Sequence, residues 1–248
     1  MHIVYVIFYS IFIFGHSSVV AFEIPSVHYP VLLKVEKNVE ELVPDGWKIE
    51  MKEEGDLNKD GIKDVVLVLR ENASSNVIKI DGLGEMLLDT NPRILAVLFG
   101  KVDGGYVLIQ DNHTLIPRRI DPKIDDYLTG VGVGGISVRK GVLVVQMNIF
   151  YNMGSWEMKN ISFTFRWQNN RFELIGYDST TTNRSSGESK DISVNYSTHK
   201  IKINCGNLTT DTDDKVTWQK LLSNKTWTID NIGNGLEFNP GAHVACDE

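Results

Sequence analysis

The 248-residue chain has a formal net charge of −7 and is 42% hydrophobic, enough to bury a core as one large all-β domain or two small ones. Lys and Arg are scattered and never form a run, which argues against nucleic acid and anionic membrane as partners, because both need a basic face.

In chain order, the segment MHIVYVIFYSIFIFGHSSVVA comes first, with an apolar run from Ile3 to Phe14 followed by small and polar residues. Val19 and Ala21 stand at the spacing a signal peptidase reads. The run is shorter than the roughly 20 apolar residues of a membrane span. The expectation is a signal peptide over 1–21 and a periplasmic or secreted protein with no stable span after cleavage. One β-rich domain is expected over 22–248. Residues 30–42, PVLLKVEKNVEEL, place Leu32, Val35, Val39 and Leu42 at three- and four-residue spacing, which predicts a short amphipathic helix stopped at Pro44.

Beyond Pro44 the period changes to two, or to fully apolar runs. Strands are expected over Trp47–Lys52, Val65–Arg70, Ile94–Phe99, Tyr106–Gln110, Ile136–Arg139 and Val142–Phe150. Further strands are expected over Ile161–Gln168, Phe172–Asp178, Ile192–Asn195 and Lys200–Asn204. Short links between them predict a mostly β fold, an antiparallel sheet or sandwich with one short N-terminal helix. The polar stretch 179–191 reads as a hairpin tip, and the tail from Thr210, with Trp218, Leu221, Leu222 and Trp227, as irregular structure with a short helix.

Within this frame, GDLNKDGIKDVVLVL (residues 55–69) carries the clearest chemistry. Asp56, Asn58, Asp60 and Asp64 supply side-chain oxygens, the carbonyl of Ile62 a further one, and Gly61 the sharp turn; hard oxygen donors of this kind suit Ca²⁺. The place of an EF-hand's bidentate Glu is taken by Leu67, so a flanking helix pair is not expected. Three Asp in nine positions would repel one another in a loop closed without a cation, whereas an acidic turn needs no metal. Cys205 and Cys246, the only cysteines, are expected to pair in an oxidising compartment. In YNMGSW, Tyr151, Met153 and Trp156 surround a glycine in a hairpin connection; large aromatics on loops are common partner anchors, and the other reading, in which Trp156 folds over the sheet edge as a lid, is the preferred one.

The glycines Gly130, Gly132 and Gly135 satisfy GxGxxG, but a strand follows them, so a bulge or close strand approach is the better reading. No HExxH or GxSxG occurs, and the histidines beyond the signal segment are isolated. Seven N-x-S/T sequons occur, at Asn72, Asn112, Asn160, Asn183, Asn195, Asn207 and Asn224.

The loop followed by RILAVLFGKVDGGYVL resembles one repeat of the FG-GAP or VCBS type, over residues 47–110, in which a calcium-binding hairpin loop leads into two strands. A propeller needs at least four such blades, and no second copy is present. More broadly, the order DGW, calcium loop, FGKVDGGY, FTFRW, FELIGYDSTTTNRSSGE and VNYSTHKIKI is similar to secreted bacterial proteins with a single loop. The resemblance implies a structural calcium ion and an exported β-rich protein. The leading expectation is a non-enzymatic binding protein, of inhibitor or immunity type, that takes a protein partner. The alternative is a calcium-dependent hydrolase of the envelope.

Overall fold

The computed structural model describes residues 23–130, 134–210, 213–242 and 246; the expected signal peptide and Gly132 lie outside them. The order is β1 (Val35–Glu36), a 3-10 turn (Val39–Leu42), β2 (Trp47–Gly55), β3 (Asp64–Glu71), β4 (Val77–Lys79), β5 (Leu87–Asp89), β6 (Arg93–Gly100) and β7 (Tyr106–Asn112). After a long crossover come β8 (Gly135–Arg139), β9 (Val142–Phe150), β10 (Glu157–Gln168), β11 (Arg171–Asn183), β12 (Glu188–Asn195), β13 (Lys200–Asn207) and β14 (Lys215–Lys220). One antiparallel sheet runs β1-β7-β6-β3-β2; the second, of seven strands, runs β14-β13-β12-β11-β10-β9-β8, and β4 and β5 form a small ribbon.

The main core lies between the two large sheets. Val66 and Val68 of β3 and Leu95 and Val97 of β6 join a cluster with Leu143 and Val145 of β9, Phe163 and Phe165 of β10, and Ile201 and Ile203 of β13. The opposite face of the first sheet is covered too: Val65, Leu67, Leu69, Ile94, Ala96 and Leu98 pack against Leu32, Val39 and Leu42. Strands buried on both faces have no polar side to present, which is why β3 and β6 read as unbroken apolar runs rather than alternating ones.

All ten expected strands are present. The helix expected over 30–42 is not: the chain stays extended to β1, which pairs with β7, and only Val39–Leu42 coil, as a single 3-10 turn. Four valines between Pro30 and Pro44 lower helix propensity, and so short a segment has little cooperative gain to offset them. Its apolar spacing still delivers Leu32, Val39 and Leu42 to the core. The tail helix is also replaced, by β14, in which Lys-Val-Thr-Trp follows strand rather than helix chemistry. The Thr-rich stretch at 179–191 is mostly strand, β11 and β12 continuing through it and leaving 184–187 as the tip. Gly135 opens β8 at φ 122°, and a Cβ there would lie 3.2 Å from Met51 Sδ, a close approach that favours glycine.

Candidate functional site

The 55–64 loop folds around its own carboxylates. Asp56 Oδ1 accepts from the N–H of Lys59 at 2.6 Å and of Asp60 at 3.2 Å, and its Oδ2 accepts from Gly61 N at 3.0 Å. Gly61, at φ 85°, and Lys59, at φ 66°, make the reversal. Asp60 accepts from Ile62 N at 2.8 Å and from Asn58 Nδ2 at 2.9 Å, while Asn58 Oδ1 accepts from Asp60 N at 3.0 Å.

Asp64 is fully buried and fastens the loop to the sheet. Its Oδ2 accepts from Leu57 N at 2.7 Å and Asn58 N at 3.3 Å; its Oδ1 accepts from Gly100 N, at the end of β6, at 3.1 Å. Burial pushes its carboxyl above the usual range, against those N–H groups, and the charge of Asp60 adds to the rise. The donors are hard oxygens of the class that suits calcium, and a carboxylate oxygen that accepts one N–H keeps a second acceptor site. They are turned toward backbone N–H groups, however, and among the described residues no group of three or more His, Cys, Asp or Glu is arranged as a metal-ligand cluster.

The second feature sits at the other end of β9. Of Tyr151, Met153 and Trp156, only Trp156 is largely exposed, at 64%. Tyr151 forms a bridge to Ile124, and Met153 is half-buried. Trp156 does not fold over the sheet edge as a lid. It stands beside Arg184, from the β11–β12 tip, whose guanidinium lies 4.4 Å from the Phe150 ring centre and 5.7 Å from that of Trp156. Arg184 Nη2 donates to the carbonyls of Tyr151 at 2.8 Å and Ser155 at 3.1 Å, and Arg184 N donates to Trp156 O at 2.9 Å. Sequence reading missed Arg184 because it is brought to YNMGSW only by the hairpin pairing of β10 with β11.

The loop and this aromatic platform are separated by the length of β9. The turn before β9 touches the loop: a Cβ on Gly141 would lie 3.5 Å from Asp56 O. The strand's nine residues, Val142–Phe150, then carry the chain roughly 27 Å to the platform.

A third cluster is buried charge. A bulge in β2 between Ile49 and Met51 turns Glu50 toward Arg70 and Arg93, which face each other across β3 and β6. Glu50 pairs with Arg70 at 2.9 Å and with Arg93 Nε at 2.5 Å; Asp126, in the crossover, pairs with Arg93 at 2.8 Å, and Asp89 with Arg70 at 2.9 Å. Burial raises the Asp126 carboxyl, but the charge and hydrogen bond of Arg93 and the N–H groups of Leu128 and Thr129 outweigh it and hold the group down at about 2. Each charge is paired, so the cluster acts as a joint between the crossover and the first sheet. Cys205 and Cys246 are disulfide-bonded, tying the C-terminal tail to β13.

Compared with known proteins, the chain matches no family model, no curated protein and no solved structure.

Proposed function

We propose that this chain is an exported, non-enzymatic protein-binding module whose 55–64 loop takes a structural calcium ion, in the manner of a single FG-GAP or VCBS repeat. The observation that carries the binding reading is the Trp156–Arg184 pair: a large ring 64% open to solvent, braced by a guanidinium that is itself hydrogen-bonded to two carbonyls. Aromatic and Arg side chains fixed before encounter lose little conformational entropy on binding and dominate interface energies. The disulfide fits an oxidising compartment, and the acidic surface fits an inhibitor or immunity-type protein that covers a basic toxin or hydrolase.

Calcium in this reading acts on stability. Asp56, Asn58, Asp60, the Ile62 carbonyl and Asp64 would hold it, and it would neutralise carboxylates crowded into one loop, some 27 Å from the platform along β9. The test is capture of a partner from the exported fraction by the wild-type protein and by Trp156→Ala and Arg184→Ala. The reading expects one protein retained by wild type and lost by both variants, with calcium chelation leaving capture unchanged at a temperature where the fold persists. Equal capture by all three sinks the platform assignment. Cleavage of glycan or peptide by the pure protein, with no partner captured, would replace the module by a calcium-dependent hydrolase.

A further inference from the structure

We infer that the free edge of β14, with the outer face it shares with β13, receives an acidic, extended segment of a partner protein as an added strand. This deepens the binding reading and rests on it, but uses a surface separate from Trp156.

β14 ends the seven-stranded sheet, so among the described residues one side of its backbone has no strand partner. Its side chains divide cleanly. Thr217 and Gln219 point toward the covered face, whereas Val216, at 49% exposure, and Trp218, at 64%, face solvent. On β13 the same division puts Ile201 and Ile203 in the core and Lys200 and Lys202 outside. Register then places Lys200 directly opposite Lys220, Lys202 opposite Trp218, and Asn204 opposite Val216.

Like charges directly opposite on one sheet face are destabilising. The neighbouring strand does not relieve the pair, since Lys200 meets Asn195 and Lys202 meets Ser193 on β12. Among the described residues no ion pair reaches Lys200, Lys202 or Lys220. A groove of about 490 Å³ opens beside them, lined by Thr198, His199, Lys200, Trp218, Gln219 and Lys220, with no carboxylate. A protein with a net charge of −7 thus keeps an uncompensated cationic strip on one strand edge.

Lysines on an edge strand also keep stray chains away. That role does not require an open tryptophan and valine on the same face, with Leu222 86% exposed just beyond the strand. A second copy of this chain is a poor occupant, because antiparallel pairing of two β14 edges puts the Val216, Trp218 and Lys220 faces of both on one side and adds a second Lys220 but no carboxylate to answer the lysines. A strand with alternating acidic and apolar residues answers each feature: backbone groups for the edge, apolar side chains for Val216 and Trp218, carboxylates for the lysines.

The experiment uses the disulfide-bonded protein and a short fluorescein-labelled peptide of alternating Glu and Val, with a Lys–Val peptide as control. The expected result is saturable binding of the acidic peptide alone, weakened by salt. Trp218→Ala and the double variant Lys200→Glu/Lys220→Glu should each weaken it by about tenfold or more. Hydrogen exchange should slow at backbone amides within Lys215–Lys220 on binding. Trp156→Ala should bind the peptide as wild type does, so loss of the platform reading and loss of this one are separable. Equal binding of the Lys–Val peptide, unchanged affinity in both variants, or binding without added amide protection would each overturn strand addition.

Discussion

Replacing Asp60 with Ala separates an ion site from an acidic turn. Its carboxylate accepts two hydrogen bonds on the open rim of the loop, from Ile62 N at 2.8 Å and Asn58 Nδ2 at 2.9 Å. Without metal, losing them costs roughly 1 kcal/mol, part of which is returned because the Asp60 charge no longer opposes ionisation of Asp64. With calcium at about ten times its Kd, a ligand bound only by the folded state adds about 1.4 kcal/mol to the wild type. The variant lacks one carboxylate and gains far less. For a domain of this size each kcal/mol is about 2–4 °C. Melting curves should therefore show calcium raising the wild-type Tm by about 3–6 °C and the variant's by less than half of that. A turn without an ion gives the same wild-type-to-variant difference in calcium and in chelator. If calcium moves neither protein, the ion-site reasoning is refuted.

Asp126→Ala removes one of the two carboxylates on the buried Arg93 and leaves Glu50, so the urea midpoint should fall by the equivalent of about 2 kcal/mol at unchanged m; a loss under about 1 kcal/mol would show the cluster to be weakly coupled to folding. The denatured, unreduced protein should contain no free thiol, and Cys246→Ser should lower stability by up to about 4 kcal/mol, the chain-entropy value for a loop closed across a separation of 41 residues. Trp156→Ala should leave stability within about 0.5 kcal/mol, since its ring is mostly solvated; a larger loss would mark it as a packing residue.

The strands were legible because burial writes itself into period. β9 and β10 alternate, β3 and β6 do not, and both patterns were correctly read as strand even though only the structure shows why β3 and β6 lack a polar side. The N-terminal segment was misread because its three- and four-residue spacing is equally consistent with an extended strap that drops Leu32, Val39 and Leu42 into the core. For the candidate site, the chemistry of residues 56–64 was visible because its donors are contiguous. Arg184 beside Trp156, Arg70 across from Arg93, and Lys200 across from Lys220 were invisible for the opposite reason. Each pair is created by strand register, and register across a hairpin is not a property of either residue's neighbours. Lys200, Lys202 and Lys220 form no run in the sequence, and only the pairing of β13 with β14 brings them onto one face.

Asp126 and Asp64 predict opposite responses to acid, and this provides a check on the loop that does not depend on any partner. Asp126 sits below its ordinary value, at about 2, because Arg93 outweighs the penalty of burial. Its contribution of about 2 kcal/mol is therefore present above an unfolded pKa of about 3.9 and lost as pH falls through about 2. Asp64 is raised, burial outweighing the N–H groups of Leu57, Gly100 and Asn58. The sign reverses: its contribution is full below the unfolded pKa and lost as pH rises through the folded one, so at neutral pH the ionised, metal-free loop is held at a cost. Calcium needs that carboxylate ionised, so its stabilisation should fade as the medium is acidified through the raised pKa of Asp64, before Asp126 begins to protonate. Stability measured from neutral pH downward, with and without calcium, should show the two curves converging in that upper window and then falling together. Asp64→Asn should remove the convergence while leaving the lower fall, and Asp126→Asn the reverse. A calcium effect that stays constant until Asp126 titrates would mean that Asp64 takes no part in holding the ion and serves only to fasten the loop to Gly100.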